Sequence, residues 1–297
     1  MVRLEISIAL AYEVLDTSCD LLLNIHPAIT ASQQVASESI TINQPLQHNL
    51  YIQGDDGTRL MRLQAARGPL QVHYQGVVDI QHIESPPDVL MEMAVADLPL
   101  ELFSYIYPSR YCQSDRFLAL ANHEFGSFAP GYYRVLAIRD WVKQRTRFVK
   151  GSTAGSTSAI DTLVDHIGVC RDFAHLMIAV CRALNIPARF VSGIDYGADP
   201  SMGPTDFHAY VEVFLSDRWY LFDPTGISPT MGLLRLGTGR DAADVSFATV
   251  FGAVIATVPP VISIVAVEDH ARGFRLPVHQ AMVLSTAGKP VCHYLSK

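Results

Sequence analysis

The hydrophobic pattern divides the chain into a β-rich first third and a mixed remainder. In residues 4–10, large apolar side chains alternate with polar or small ones, as expected of a strand with one buried face. Further strand-like runs, separated by glycine, proline and aspartate turns, follow at 19–25, 35–42, 48–53, 59–65 and 72–83. Short strands at this spacing predict a β-sandwich-like N-terminal domain over residues 1–100.

Helical spacing becomes clear after a proline-containing boundary near residue 100. Val135, Ile138 and Trp141 recur three residues apart, which predicts a helix over 132–148. We interpret Trp141 as a core aromatic residue of that helix. Loops rich in small residues, glycine and proline separate the elements that follow. The remainder of the chain is therefore predicted to mix helices and strands.

The most apolar helical segment begins at Cys170. Apolar side chains cover most of its circumference, so the helix is predicted to lie in the core. Gly168 permits a sharp turn before it, Asn185 suits a left-handed helix stop, and Pro187 prevents the helix from resuming. A thiol at a helix N-terminus faces unpaired N–H groups and the positive end of the helix dipole. Both favour the thiolate, so Cys170 is a candidate nucleophile.

Two downstream strands supply a histidine and an aspartate. The pattern predicts a hairpin over residues 206–225 with a two-residue turn at 216–217. That register pairs Tyr210 with Asp223, so these side chains and His208 share one face. The backbones of His208 and Asp223 are then about 7–8 Å apart, a gap that an imidazole and a carboxylate can span. A nucleophile, a base and a group that orients the base form the general arrangement of an activated nucleophile.

Four segments taken together resemble the bacterial transglutaminase-like superfamily. They are 168–175 (GVCRDFAH), 183–193 (ALNIPARFVSG), 208–213 (HAYVEV) and 219–225 (WYLFDPT). Their occurrence in the same order is more specific than any one of them. Tyr210 stands where such proteins often carry tryptophan, and it keeps an aromatic ring at that position.

The resemblance implies an α+β fold with a papain-like core, in which the cysteine-bearing helix packs on an antiparallel sheet. It implies a transglutaminase-like catalytic domain over residues 101–297, with its core at about 130–245. It also implies Cys170 as nucleophile, His208 as base and Asp223 as the group that orients the base. No cofactor and no metal ion are expected in such a site.

Two classes of function follow from these residues. The first is acyl transfer through a thioester on Cys170, in which amide bonds of peptides or proteins are cleaved or exchanged. Water as acceptor gives a protease or amidase, which we favour, and an amine co-substrate gives a protein-glutamine γ-glutamyltransferase. The second is a non-catalytic binding module that retains the fold. Such a module is expected to lose one of the three residues, and none is lost.

Composition narrows the class of protein. The 297 residues are 49% hydrophobic and 17% charged, which indicates a soluble chain with a sizeable core. A net charge of −7 offers no electrostatic surface for nucleic acid or an anionic membrane. The apolar runs are shorter than the roughly 18–20 residues of a membrane span. Five cysteines, an odd number, and an N-terminal segment unlike a signal peptide favour a reducing, cytoplasmic location.

Several other polar residues have structural interpretations. Asp172 and His175 are three residues apart on the nucleophile helix, and we expect them to pair and to fix that helix. His166 is expected to be an exposed loop histidine. Glu212 lies on the face of His208 if strand alternation holds, and is expected to be a solvated carboxylate. Cys181 is expected to be a buried apolar residue, as most cysteines are.

Overall fold

The computed structural model describes residues 1–54, 56–199 and 204–288. The strands are β1 (Val2–His26), β2 (Gln33–Ile42), β3 (His48–Gln53), β4 (Thr58–Ile80), β5 (Ile83–Ser85), β6 (Arg147–Phe148), β7 (Ile167–Gly168), β8 (Ala188–Asp195), β9 (Phe207–Leu215), β10 (Arg218–Phe222), β11 (Leu233–Gly239), β12 (Ala248–Phe251), β13 (Val254–Ala256), β14 (Val261–Val267) and β15 (Val283–Ser285). The helices are α1 (Leu118–Phe125), α2 (Tyr132–Arg145), α3 (Ala159–Asp165) and α4 (Cys170–Ala183). Short 3₁₀ helices occur at Pro87–Val89, Val95–Asp97, Leu100–Tyr105, Ser114–Arg116, Thr230–Gly232 and His270–Arg272.

A seven-stranded antiparallel sheet is built around the long strands β1 and β4. Strands β2 and β3 pair with β4, whereas β12, β13 and β14 pair with β1. Alternate side chains of β1 from Val2 to Val14 are buried, as the sequence pattern predicts. The runs 4–10 and 19–25 belong to this one strand, because an irregularity between Val14 and Ser18 bends it without ending it.

A second antiparallel sheet has the strand order β10-β9-β8-β11. The predicted hairpin is confirmed, since Leu215 pairs with Arg218 and Ser216 in the turn has a left-handed φ of 55°. Strand β11 completes this sheet by pairing with β8, and the sequence pattern predicted no strand there. That pairing depends on a partner distant in sequence, so local composition gave no sign of it.

The two sheets and the helices form three layers. Side chains of the seven-stranded sheet share one hydrophobic cluster with Val191, Tyr210 and Leu221 of the four-stranded sheet. The opposite face of the four-stranded sheet carries Ala209 and Val211, which pack in the cluster that contains α4. The predicted fold class is therefore confirmed: an α+β chain whose cysteine-bearing helix packs on an antiparallel sheet, preceded by a β-rich N-terminal region.

The C-terminal strands return to the first sheet. Residues 248–267 supply β12, β13 and β14, which pair with β1, and β15 pairs with β5. The seven-stranded sheet, called the N-terminal sheet below because β1 to β4 form most of it, thus contains strands from the segment 101–297. A domain division after residue 100 stays a prediction. Within the parts of the chain that the structure describes, no helix has the length and apolar character needed to cross a membrane.

A buried cluster of charges lies between the two sheets. Glu212 is fully buried and forms ion pairs with Arg189, at 2.6 Å, and with Arg235. Arg235 also donates from Nη2 to Thr286 Oγ1 at 3.0 Å, and its backbone N–H donates to Gln33 Oε1 at 3.0 Å. The expectation of a solvated Glu212 was wrong, because the strand face on which it lies is covered by the N-terminal sheet.

Replacing Glu212 by glutamine should destabilise the protein strongly. The change preserves shape but leaves the two buried guanidinium groups without a counter-charge. Breaking such a cluster costs about 3–5 kcal/mol of unfolding free energy. Urea denaturation followed by circular dichroism measures the loss. The matched control is Glu101→Gln, at an exposed position, where a change within about 0.5 kcal/mol is expected. Equal stability of the two variants would contradict this assignment.

Candidate active site

The start of α4 positions the thiol of Cys170. Oδ2 of Asp172 accepts a hydrogen bond from the backbone N–H of Val169 at 2.9 Å, so a carboxylate fixes the positive end of the helix. Gly168 is required by the same contact, because a Cβ there would lie 2.7 Å from Cβ of Asp172. The helix ends as predicted, with Asn185 in the left-handed conformation at φ 60°. The thiol is therefore held on a rigid helical turn.

His175 does not pair with Asp172, contrary to expectation. Its Nε2 accepts a hydrogen bond from the backbone N–H of Ala242 at 3.2 Å, and its ring stacks on Tyr111 with centroids 5.0 Å apart. Burial, assisted by the positive charges of nearby arginines, lowers the pKa of His175 well below its usual range. This histidine is thus a neutral packing group inside the protein, separate from the thiol.

Strands β9 and β10 bring His208 and Asp223 together. Phe222 pairs with Val211, so Asp223 follows β10 on the face of His208. His208 Nε2 and Asp223 Oδ1 lie 3.4 Å apart, and both side chains are almost completely buried. The same Oδ1 accepts hydrogen bonds from the backbone N–H and the hydroxyl of Thr225, at 2.9 and 2.6 Å. These bonds hold the carboxylate towards the ring.

The charges of this pair stabilise each other. Burial by itself lowers the pKa of His208, but Asp223 and the neighbouring Cys170 sulfur outweigh it and raise that pKa well above its usual range. Burial likewise raises the pKa of Asp223, and the charge of His208 with the hydrogen bonds from Thr225 lowers it below its ordinary value. The pair is therefore an imidazolium and a carboxylate at neutral pH. The ring lies beside the Cys170 sulfur, which contributes to the raised pKa of His208.

Cys170 and His208 line one cleft of about 810 Å³, within the range of small-molecule and peptide sites. One wall is apolar and contains the stacked rings of Phe207 and Phe247, together with Ile264. Since Ile264 lies on β14, the N-terminal sheet forms part of this wall. Polar side chains along the cleft are Lys150, Thr153, Asp195, Thr205 and Asp206.

The other residues singled out from the sequence lie where their structural interpretations place them. His166 is exposed at the end of α3, and Trp141 packs its edge against Phe125 beside the core. Within the described ranges the free cysteines other than Cys170 are buried; they are Cys19, Cys112 and Cys181. Cys292 lies outside the described residues.

Asp195 is a cleft residue that the sequence reasoning missed. It is the last residue of β8, two positions beyond Gly193, which pairs directly with His208. The pairing of β8 with β9 would have placed Asp195 beside His208 on one sheet face. That pairing joins strands separated by a loop of more than ten residues, so alternation within either strand alone could not reveal it.

Family comparisons agree with this geometry. A model of the transglutaminase-like superfamily matches residues 121–224, and a model of the bacterial transglutaminase N-terminal domain matches residues 2–101. An uncharacterized protein of Mycobacterium leprae is 30% identical over 196 residues, which are 62% of this chain and 68% of that protein. The chain belongs to the transglutaminase-like superfamily.

One solved structure extends the likeness to nearly the whole chain, and a further sequence relative matches part of it. A proposed cysteine protease from Cytophaga hutchinsonii is 34% identical, has a TM-score of 0.86, and matches over 96% of this chain and 97% of its own. An uncharacterized protein of Mycobacterium tuberculosis is 34% identical over 141 residues, 43% of this chain and 45% of that protein. The superfamily assignment therefore covers both sheets as well as the helix that carries Cys170.

Replacing Asp223 by asparagine should lower the pKa of His208. The change removes the largest influence that raises this pKa and leaves burial, which lowers it. The change should also destabilise the fold. The raised pKa of His208 means that protonation of its ring stabilises the native state of wild type. This contribution is complete below about pH 6.5 and is lost as pH rises through the native pKa. Ring resonances followed by NMR against pH, assigned with His208→Gln, report the shift. Glu101→Gln is the charge-matched control, and an unchanged titration in Asp223→Asn would refute the pairing.

Proposed function

We propose that this protein is a cysteine-dependent acyl-transfer enzyme that cleaves or exchanges amide bonds of peptides or proteins through a thioester on Cys170. The observation that carries the proposal is the joint placement of a thiol on the first residue of a helix, a histidine in the same cleft, and a buried carboxylate 3.4 Å from that histidine. This is the arrangement that activates a nucleophile in many unrelated enzymes.

In the proposed first half-reaction, the Cys170 thiolate attacks the carbonyl carbon of a bound amide. The backbone N–H of Cys170, unpaired at the helix start, supplies one hydrogen bond to the oxyanion that forms. The His208 imidazolium donates its proton to the departing amine nitrogen as the C–N bond breaks. Asp223 keeps the ring oriented through this transfer. The products are a thioester on Cys170 and a free amine.

In the second half-reaction, an acceptor attacks the thioester while neutral His208 takes its proton. Water as acceptor releases a carboxylic acid and restores the thiolate and imidazolium, which makes the protein a protease or amidase. An amine as acceptor forms a new amide, as a transglutaminase does. We favour water, and the likeness to the proposed cysteine protease of Cytophaga hutchinsonii supports that preference.

The partners and the location follow from composition and are proposals of the same kind. We propose a peptide or protein substrate, no nucleic-acid or membrane partner, and a cytoplasmic location. A net charge of −7 supports the absence of an anionic partner. A binding module without catalysis has no need of a charged pair buried beside a thiol, since burying such charges carries a cost in stability.

A peptide library analysed by mass spectrometry tests the activity. Incubation with wild type, with and without a small primary amine, distinguishes cleavage, deamidation and amine incorporation by product mass. Cys170→Ala should abolish turnover, and His208→Gln should reduce it by about 10²–10⁴-fold because proton transfer is lost. The matched control is His166→Asn, at an exposed histidine four residues before the thiol, which should leave turnover unchanged. Turnover by Cys170→Ala would contradict the proposed mechanism.

Alkylation distinguishes an activated thiol from a structural one. Iodoacetamide at neutral pH should modify Cys170 first, and His208→Gln should slow that modification by about tenfold as the thiolate is lost. The buried thiols are protected, and burial raises the pKa of Cys112 to about 12. Peptide mapping by mass spectrometry gives the rate for each cysteine. Similar slow rates at every cysteine would instead support the binding module.

A further inference from the structure

Asp195 is a buried carboxyl group on the wall of the proposed active cleft. It lies at the end of β8 and is only 6% exposed. Gly193 faces His208 across the strand pair, so Asp195, two residues further, shares that sheet face. Among the residues that the structure describes, Oδ2 of Asp195 makes no hydrogen bond of good geometry, although the hydroxyl of Ser228 is close enough to lower the pKa of this carboxyl. The carboxyl group of Asp195, which lines the cleft, thus keeps one oxygen without a well-formed hydrogen bond.

An unpartnered buried carboxylate destabilises the folded protein unless a ligand donates a hydrogen bond to it. A charged group in the interior without a donor destabilises the folded protein, so such groups are usually paired or neutralised. Burial raises the pKa of Asp195, the positive charge of His208 lowers it, and the negative charge of Asp223 raises it. His208 is itself paired with Asp223 at 3.4 Å, so the two carboxylates share a single imidazolium. Shifted groups of this kind in a cleft often mark a binding function.

The surroundings favour a cationic ligand. Strand β9 lies between β8 and β10, so the ring of His208 has Asp195 on one neighbouring strand and Asp223 beyond the other. Described side chains along the cleft include the carboxylates of Asp195 and Asp206 and the ammonium of Lys150. Lys150 is exposed, whereas Asp195 is buried. A cation at Asp195 would therefore be screened little by solvent and would lie near the thiol.

We propose that Asp195 is a substrate-binding carboxylate that receives a protonated primary amine beside Cys170. This inference rests on the proposed acyl-transfer function and names its substrate class. The ammonium belongs either to the amide substrate, as a free amino group near the bond attacked, or to an amine that accepts the acyl group. Both sources offer charged N–H donors to the unpartnered Oδ2. The ammonium itself undergoes no chemical change when it binds to Asp195.

A pair of thiol reagents tests this without any need for turnover. Methanethiosulfonates carrying an ethylammonium group or a neutral propyl group react with the Cys170 thiolate, which forms a mixed disulfide as methanesulfinate leaves. Wild type should react faster with the cationic reagent. Asp195→Asn should lower the cationic-to-neutral rate ratio by about tenfold, equivalent to about 1.4 kcal/mol. Reaction at the other cysteines is subtracted with Cys170→Ala.

Two variants make the result specific. Asp206→Asn removes the same charge from an exposed position in the same cleft, and should change the ratio by less than about twofold because solvent screens it. Asp195→Glu keeps the charge and should retain most of the cationic preference, even if Asp195→Asn loosens the fold. An unchanged ratio in Asp195→Asn, or an equal loss in Asp206→Asn, overturns the proposal.

Substrates then identify the source of the ammonium. If it belongs to the amide substrate, acetylating a peptide N-terminus should raise KM in wild type but not in Asp195→Asn. If it belongs to the acceptor, Asp195→Asn should lose amine incorporation and keep hydrolysis. Absence of turnover in wild type with every peptide would refute the proposed function, while the reagent ratio would still decide whether Asp195 binds cations. The two failures are therefore distinguishable.

Discussion

The ion pair between His208 and Asp223 is the interaction on which the candidate site depends. Both groups are buried, and burial by itself favours the neutral form of each. Their pairing reverses the effect of burial on both pKa values, and it leaves a cationic ring beside a thiol. The start of α4 acts on the same sulfur in the same direction, because its unpaired N–H groups carry partial positive charge. The ring of His208 and the start of α4 therefore meet at Cys170, the position of the proposed nucleophile.

The N-terminal sheet makes this electrostatic arrangement possible. It covers the face of β9 on which Tyr210 and Glu212 lie, and both of these side chains are fully buried. His208 in the cleft and Glu212 in the buried ion cluster are only four positions apart on β9. Arg235 of the Glu212 cluster connects the sheets, because its backbone exchanges hydrogen bonds with the side chain of Gln33 on β2. Such polar contacts demand a specific alignment that apolar packing alone does not require. Ile264 of the same sheet forms part of the cleft wall. The N-terminal sheet therefore contributes both to the stability of the fold and to the shape of the cleft.

Sequence patterns within a single helix or hairpin predicted the parts of the site that such an element forms by itself. The hairpin register follows from its two-residue turn, and the start and stop of α4 follow from Gly168 and Asn185. Features that depend on distant pairings could not be predicted from alternation. The burial of Glu212 needed the packing of one sheet on another, and the place of Asp195 needed the pairing of β8 with β9. The return of residues 248–267 to β1 is likewise set by which strand edge is free, a property of the folded sheet.

The two carboxylates that flank His208 differ in a way that separates their roles. Asp223 lies behind the ring, accepts two hydrogen bonds from Thr225, and faces a fixed cation. Among the described residues, each carboxylate keeps its Oδ2 without a hydrogen bond, but of the two it is Asp195 that lines the cleft. Groups of one chemical type often divide tasks when their surroundings differ in this manner. A carboxylate held by Thr225 against a fixed cation can orient a base, whereas one on the wall of the cleft can gain its missing donor from a bound molecule. The arrangement around His208 therefore assigns the first role to Asp223 and the second to Asp195.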